Sequence, residues 1–266
     1  MSLSFSPSKA AAFIEHWLTA YLADTGLSGW VIGVSGGIDS AVTSTLCART
    51  GLPTLVVEMP IYQDPVQVSR AQDHIQALEN QFPNVHSRRV DLTGVYDGLV
   101  AALPDDEDGS GGLALANSRA RLRMTALYAL AAQRQSLVVG TGNKVEDFGV
   151  GFYTKYGDGG VDLSPIADLT KTEVFALGAE LGVLSAIQNA APTDGLWGDD
   201  RTDEDQLGAT YAELEWAMSA SEHGSKNWSP RQQEVMEIYT RLNRANQHKM
   251  EPIPVCMLPD SIRVEG

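Results

Sequence analysis

Residues 30–40 read Trp30-Val31-Ile32-Gly33-Val34-Ser35-Gly36-Gly37-Ile38-Asp39-Ser40, and this stretch decides the fold. Residues 30–34 form a short unbroken apolar run, as expected of a strand buried on both faces. The glycines then turn the chain into a helix expected over about residues 39–49. A buried strand that feeds a helix through such a turn is the repeating unit of a parallel α/β sheet. The same turn suits an anion, because glycine lets backbone N–H groups approach a phosphate and the helix N-terminus adds a favourable field. Ser35 and Ser40 add hydroxyl donors. Asp39 would repel a bare phosphate, so a carboxylate there points to bound Mg²⁺. No G-x-x-x-x-G-K-[ST] occurs in the chain, which excludes a Walker-type nucleotide site.

Outward from this unit, strands are expected at Thr54–Glu58, at 86–90 and at 136–140. Helices are expected from Pro65 to about 80, over about 114–134, and through most of the chain beyond 170. Near the N-terminus, Ser6-Pro7 marks a helix start. Phe13, Ile14, Trp17, Leu18, Tyr21 and Leu22 recur at helical spacing as its expected buried face. Thr170-Lys171-Thr172-Glu173 and Ser229 with Gln232 have the capping-box pattern. The expected fold is α/β, a doubly wound parallel sheet with helices on both faces and a helical C-terminal third.

The 266 residues carry a formal net charge of −15 with 43% hydrophobic and 20% charged side chains. A nucleic-acid surface needs clustered Lys and Arg, so no nucleic-acid partner is expected. No apolar run approaches the ~20 residues that span a bilayer, and Glu15-His16 interrupts the N-terminal one. Cys47 and Cys256 are far apart in sequence, which suits a reducing cytoplasm and excludes a disulfide scaffold. The acidic runs 105–108 and 199–205 read as solvated surface. The stretch 105–112 reads as prone to disorder.

Several further segments carry a resemblance. The loop at 33–40 resembles the signature of the ATP pyrophosphatase superfamily, whose members split ATP into AMP and pyrophosphate. Residues 117–124 (NSRARLRM), 138–146 (VVGTGNKVE), 151–162 (GFYTKYGDGGVD), 168–173 (DLTKTE), 192–197 (PTDGLW) and the late His248-Lys249 pair follow in the order found in NAD⁺ synthetases. The similarity covers roughly residues 8–258, and the chain is identified as a member of the ammonia-dependent group of that family. The length leaves no room for the nitrilase-like glutaminase unit of glutamine-dependent members, so one synthetase domain over 1–266 is expected, with free ammonia as nitrogen donor.

The resemblance implies ATP-dependent amidation of deamido-NAD⁺ through an acyl-adenylate, with Mg²⁺, in a cytoplasmic homodimer. ATP contacts are implied for Gly33, Val34, Ser35, Gly36, Gly37, Ile38, Asp39, Ser40, Thr141, Lys171 and Thr193. Deamido-NAD⁺ contacts are implied for Arg121, Lys155, Asp162, His248 and Lys249. On the helix over 114–134, Asn117 and Arg121 share one face and Arg119 and Arg123 another, so one face is expected to serve the ligand while the other stays wet. Metal binding is implied for Asp39 and Glu146. One extra residue between that glutamate and the Gly-Phe-Tyr-Thr-Lys run leaves Asp147 as the alternative ligand. Asp158 is a candidate for holding ammonium or taking its proton, with an Asx-turn role as the other reading. Lys171 sits in the first turn of a helix, where the dipole opposes a cation; a nearby phosphate would reverse that penalty. The loop after Thr193 is expected to act as a lid.

Overall fold

The computed structural model describes residues 5–104, 111–193, 195, 201–224 and 227–262. The acidic run 105–108 and residues 196–200 of the expected lid lie outside them. A parallel sheet has the order β3-β2-β1-β4, with β1 at Trp30–Gly33, β2 at Thr54–Glu58, β3 at Val85–Arg89 and β4 at Leu137–Val138. Trp30 pairs with Thr54 on one side and with Leu137 on the other. A single bridge, Val139 to Leu163, carries the pairing past β4.

The alternation of strand side chains assigns the covering helices. Trp30, Ile32 and Val56 point into a core shared with α1 (Pro7–Thr25), α2 (Ile38–Arg49), α3 (Pro65–Gln81) and α6 (Lys171–Glu180). Val31, Leu55 and Val57 point the other way, against α4 (Thr93–Ala102) and α5 (Gly111–Arg134). Both faces are therefore dry, which is why β1 and β2 read as continuous apolar runs. β3 lies at the sheet edge and buries only Val85 fully, so its sequence is polar. A separate core joins a π-helical turn (Val145–Val150) to α8 (Asp203–Leu207), α9 (Tyr211–His223) and α10 (Pro230–Met250). The short α7 spans Ser185–Gln188.

The α1 expectation needs correction. Ile14, Leu18 and Leu22 are buried, but Phe13 is 70% exposed and Trp17 and Tyr21 are also exposed. Trp17 and Tyr21 stack on each other on the outer side. The apolar stripe of α1 is wider than the groove that receives it, and only one row enters.

α2 and α3 are joined by a buried polar contact: Ser44 Oγ lies 2.9 Å from His74 Nε2. Burial pulls the His74 imidazole down to about 4. Its folded value lies below the ordinary one, so the unfolded chain binds the extra proton first, and stability falls as pH drops from about 6.5 toward 4. Between pH 7 and pH 5 this residue alone should cost about 2 kcal/mol of folding free energy. An NMR titration placing the His74 midpoint at 6 or higher would remove this contribution.

Candidate active site

The loop at 33–40 leaves the C-terminal end of β1 and enters α2, whose N-cap Gly37 offers no side-chain cap to the first turn. Backbone N–H groups are thus left for a ligand. Ser40 Oγ donates to the Gly37 carbonyl and lies 3.1 Å from Ser35 Oγ, while the Ser35 N–H donates back to Ser40 Oγ. Gly36 has φ +83°, and a Cβ there would lie 2.6 Å from the Gln67 carbonyl oxygen and 3.0 Å from the Ala71 nitrogen. Only glycine lets α3 close against the loop at that point. Gly33, Val34, Ser35, Gly37, Ile38, Asp39 and Ser40 line a cavity of about 530 Å³ at the C-terminal ends of the strands, where open parallel sheets bind ligands. Thr141, Glu146, Asp158, Lys171, Thr193 and Lys249 line the same cavity.

Its charged centre is built on Lys171. Thr170 caps α6 in a complete capping box with Glu173, which fixes Lys171 as the first helical residue and points it inward. The ammonium, 3% exposed, donates to Asp39 Oδ2 at 2.6 Å and to Glu146 Oε1 at 2.9 Å. Burial opposes its charge, but the two carboxylates more than offset this and hold Lys171 above its ordinary range. Burial would likewise raise Glu146, yet Lys171 and Tyr211 keep it below the usual carboxylate range. The wholly buried Asn143 ties the pair together: its amide donates to Asp39 Oδ1, and its oxygen accepts from the Val145 and Glu146 N–H groups. The sequence pointed Lys171 at a phosphate; in this structure two carboxylates offset the unfavourable helix dipole.

Val145–Val150 is a π-helical turn. Such turns often occur at functional sites, and this one carries both Glu146 and Asp147. Within it, Glu146 faces Lys171 and Asp39. Asp147 also lines the cavity, but burial and the nearby Glu146, Asp158 and Asp39 push its carboxyl up to about 8.

Tyr211 and Asp203 were not singled out in the sequence. The Tyr211 hydroxyl donates to Glu146 Oε1 at 2.5 Å and lies 3.2 Å from Asp203 Oδ2. Its ring lies under the Lys171 ammonium, 4.7 Å away. Asp203 was read as part of a solvated acidic run, and the structure buries it.

The residues expected to meet the dinucleotide divide into two groups. Lys249 lines the cavity and donates to the Gly151 and Tyr153 carbonyls. Arg121 is exposed and donates to the Lys155 carbonyl, and Lys155 Nζ donates to the His248 carbonyl. Arg121, Lys155 and His248 therefore cluster beside the cavity and do not line it. Asp162 is committed elsewhere, accepting from the Tyr128 hydroxyl and the Val138 N–H. His248 and Lys249 fall in the last turn of α10, where the helix dipole favours cations. Asp158 Oδ1 accepts the Thr154 N–H four residues back, so it braces the loop by a different bond from that of an Asx turn.

On α5 the expectation of a wet second face fails for Arg123. It lines the cavity and donates to the Met59 carbonyl and to Gln63 Oε1, and burial pulls it down to about 10. Ala116, Asn117, Ala120, Arg123, Met124 and Leu127 form the cavity wall. This period of three and four residues was the signal that the pairing of Asn117 with Arg121 obscured.

A family model described as NAD synthase matches residues 10–253. The chain belongs to the NAD synthase family. It is 36% identical to the NH(3)-dependent NAD(+) synthetase of Carboxydothermus hydrogenoformans, with 92% of this chain and 96% of that protein aligned. It is 37% identical to the protein of the same name from Syntrophomonas wolfei, over 97% and 99% of the two chains. Among solved structures, the NMN synthetase from Francisella tularensis matches with a TM-score of 0.82 and 31% identity, covering 97% of this chain and all (100%) of that one. As an NAD synthase family member, the chain has a sheet whose strand ends, glycine-rich 33–40 loop and Asp39–Lys171–Glu146 group share one cavity. Among its described residues, no helix is long and apolar enough to cross a membrane, and no group of three or more His, Cys, Asp or Glu side chains is arranged to hold a metal ion.

Proposed function

We propose that the chain catalyses ATP-dependent amidation of the nicotinate carboxylate of deamido-NAD⁺ with ammonia, giving NAD⁺, AMP and pyrophosphate. One observation carries this reading: the phosphate loop, the Asp39–Lys171–Glu146 group and Asp158 line a single cavity. An anionic carboxylate is a poor electrophile. Activation therefore comes first, by attack of a carboxylate oxygen on the α-phosphorus of ATP. The bond from that phosphorus to the bridging oxygen breaks, and pyrophosphate leaves with the electron pair. Ammonia then adds to the acyl carbon, the bond to the AMP oxygen breaks, and the nitrogen gives up a proton.

In this reading the 33–40 loop and the N-terminus of α2 hold the departing pyrophosphate, with Thr141 and Thr193 as further nucleotide contacts. Lys171 shifts from its carboxylates toward the phosphates. Asp158, in the same cavity, is placed to hold ammonium or take its proton. Lys249 meets the dinucleotide within the cavity, and Arg121, Lys155 and the His248 segment receive it along the rim, in the homodimer that the resemblance implies. Asp162 holds the edge of β4 and acts on the dinucleotide only through that edge.

Two carboxylates that share one cation within hydrogen-bonding distance form a seat for positive charge, and their hard oxygens suit Mg²⁺. This ion is ordinarily held by one or two carboxylates plus substrate phosphates. Asp39 and Glu146 would hold it. When bound it would spread the charge that develops on the leaving phosphate. Asp147 lines the same cavity but is not hydrogen-bonded to Lys171 as Asp39 and Glu146 are, and is the weaker candidate. Glu146→Gln should therefore lower NAD⁺ formation about 100-fold or more, and Asp147→Asn should cost less than about tenfold. The reverse ranking, in steady-state assays at saturating Mg²⁺, would make Asp147 the ligand.

The decisive assay follows AMP and NAD⁺ from ATP, Mg²⁺ and deamido-NAD⁺, with ammonium or glutamine. NAD⁺ with ammonium alone is expected; folded, ATP-binding protein that forms none with either donor would overturn the reading. The likeness to an NMN synthetase favours a second acceptor, nicotinic acid mononucleotide. Its kcat/KM measured beside that of deamido-NAD⁺ decides which acceptor is preferred.

A further inference from the structure

Glu146 reaches the charged centre from an irregular turn, and a glutamate has three side-chain torsions to settle. A carboxylate that must meet a divalent ion in one orientation needs a partner for its orientation as well as a counter-charge. Lys171 supplies the counter-charge. Orientation comes from elsewhere in the fold: the Tyr211 hydroxyl donates to the same Oε1 atom at 2.5 Å, across 65 residues of sequence.

The local structure around Tyr211 is organised for this contact. Thr202 and Thr210 each close a capping box, with Asp205 and Glu213. Asp203 and Tyr211 are the first helical residues after those caps, as Lys171 is after Thr170. Three such side chains thus meet at one point. Asp203 and Tyr211 are both buried, and Asp203 Oδ2 is 3.2 Å from the phenol oxygen. The Asp203 N–H donates to the Pro192 carbonyl, next to Thr193. A tyrosine needed only for packing among Val145, Leu207 and Leu214 could be phenylalanine, with no buried hydroxyl to satisfy. Here the hydroxyl is the atom that joins the C-terminal helices to Glu146.

We propose that Tyr211 is a positioning residue that fixes the Glu146 carboxylate for the divalent cation that enters with the nucleotide. The proposal rests on the reading of Asp39 and Glu146 as the metal-binding pair. Removing the hydroxyl leaves Glu146 Oε1 held by Lys171 alone, and once Lys171 shifts toward the phosphates nothing fixes that oxygen for the metal.

Mn²⁺ is the probe, titrated by electron paramagnetic resonance in the presence of α,β-methylene-ATP. Tyr211→Phe should weaken Mn²⁺ about 10–100-fold and move the melting temperature by only about 2–4 °C. Affinity for the analogue without metal should stay within about threefold. In turnover, the KM for Mg²⁺ should rise by a larger factor than kcat falls. Asp203→Asn, which removes the second acceptor for the one phenol proton, should leave Mn²⁺ affinity at or above the wild-type value, and it reads the same contact if the phenylalanine variant is too unstable. Mn²⁺ affinity within twofold of wild type in a folded Tyr211→Phe protein would overturn the proposal. If Asp39→Asn also leaves Mn²⁺ affinity unchanged, the metal reading itself falls, a result distinct from failure of the tyrosine contact alone.

Discussion

Lys171→Met should lower the unfolding free energy of the metal-free protein by about 3–5 kcal/mol, because it leaves two largely buried carboxylates without their cation. The amine is 3% exposed and lies within 3 Å of both Asp39 and Glu146, so solvent screens this group far less than a surface ion pair. Methionine fills similar space without the charge, which isolates the electrostatic effect. Urea denaturation at pH 7 measures it. A loss below about 1 kcal/mol would put the contact in the class of exposed salt bridges. Added Mg²⁺ with nucleotide should restore part of the loss in the variant, since a divalent ion takes over the neutralising role.

Asp39→Asn should lower NAD⁺ formation by about 10²–10³-fold at saturating ATP and Mg²⁺. Asparagine keeps the side-chain shape, so the fold of the loop should persist, and Lys171 still has Glu146. What is lost is half of the anionic seat. Rates within threefold of wild type would remove Asp39 from the metal site and leave it a purely structural partner of Lys171.

These effects also mark how far the sequence could be read. β1, β2 and the capping boxes at Thr170 and Ser229 were legible because their signals are local: an apolar run, or a hydroxyl three residues before Glu or Gln. α4 was missed: its N-cap is Leu92, which supplies no side-chain cap, and its first turn holds no acidic residue. On α1 the apolar stripe was visible, but which row enters the core depends on the width of the groove, a property of other segments. The site followed the same division. The phosphate loop could be read residue by residue. The partners of Lys171 could not, because Asp39 and Glu146 lie 132 and 25 residues away from it. Asp203 was hidden by composition, since a run of acids looks the same whether its members face water or the interior. Arg121 came from the resemblance, and Arg123 went unread because helix spacing says which residues share a face, not which face meets the cavity.

The threonine-led caps have a consequence for how this sequence can vary. Glu173, Asp205 and Glu213 do not line the cavity, yet each closes the box that aims Lys171, Asp203 or Tyr211. Tolerance to mutation at these positions should therefore track the hydrogen bond and not the degree of exposure. Among natural variants, serine for threonine and glutamine for glutamate would persist where alanine would not. A map of permitted substitutions would show a ring of constrained outer positions around the site, each standing for an inner one.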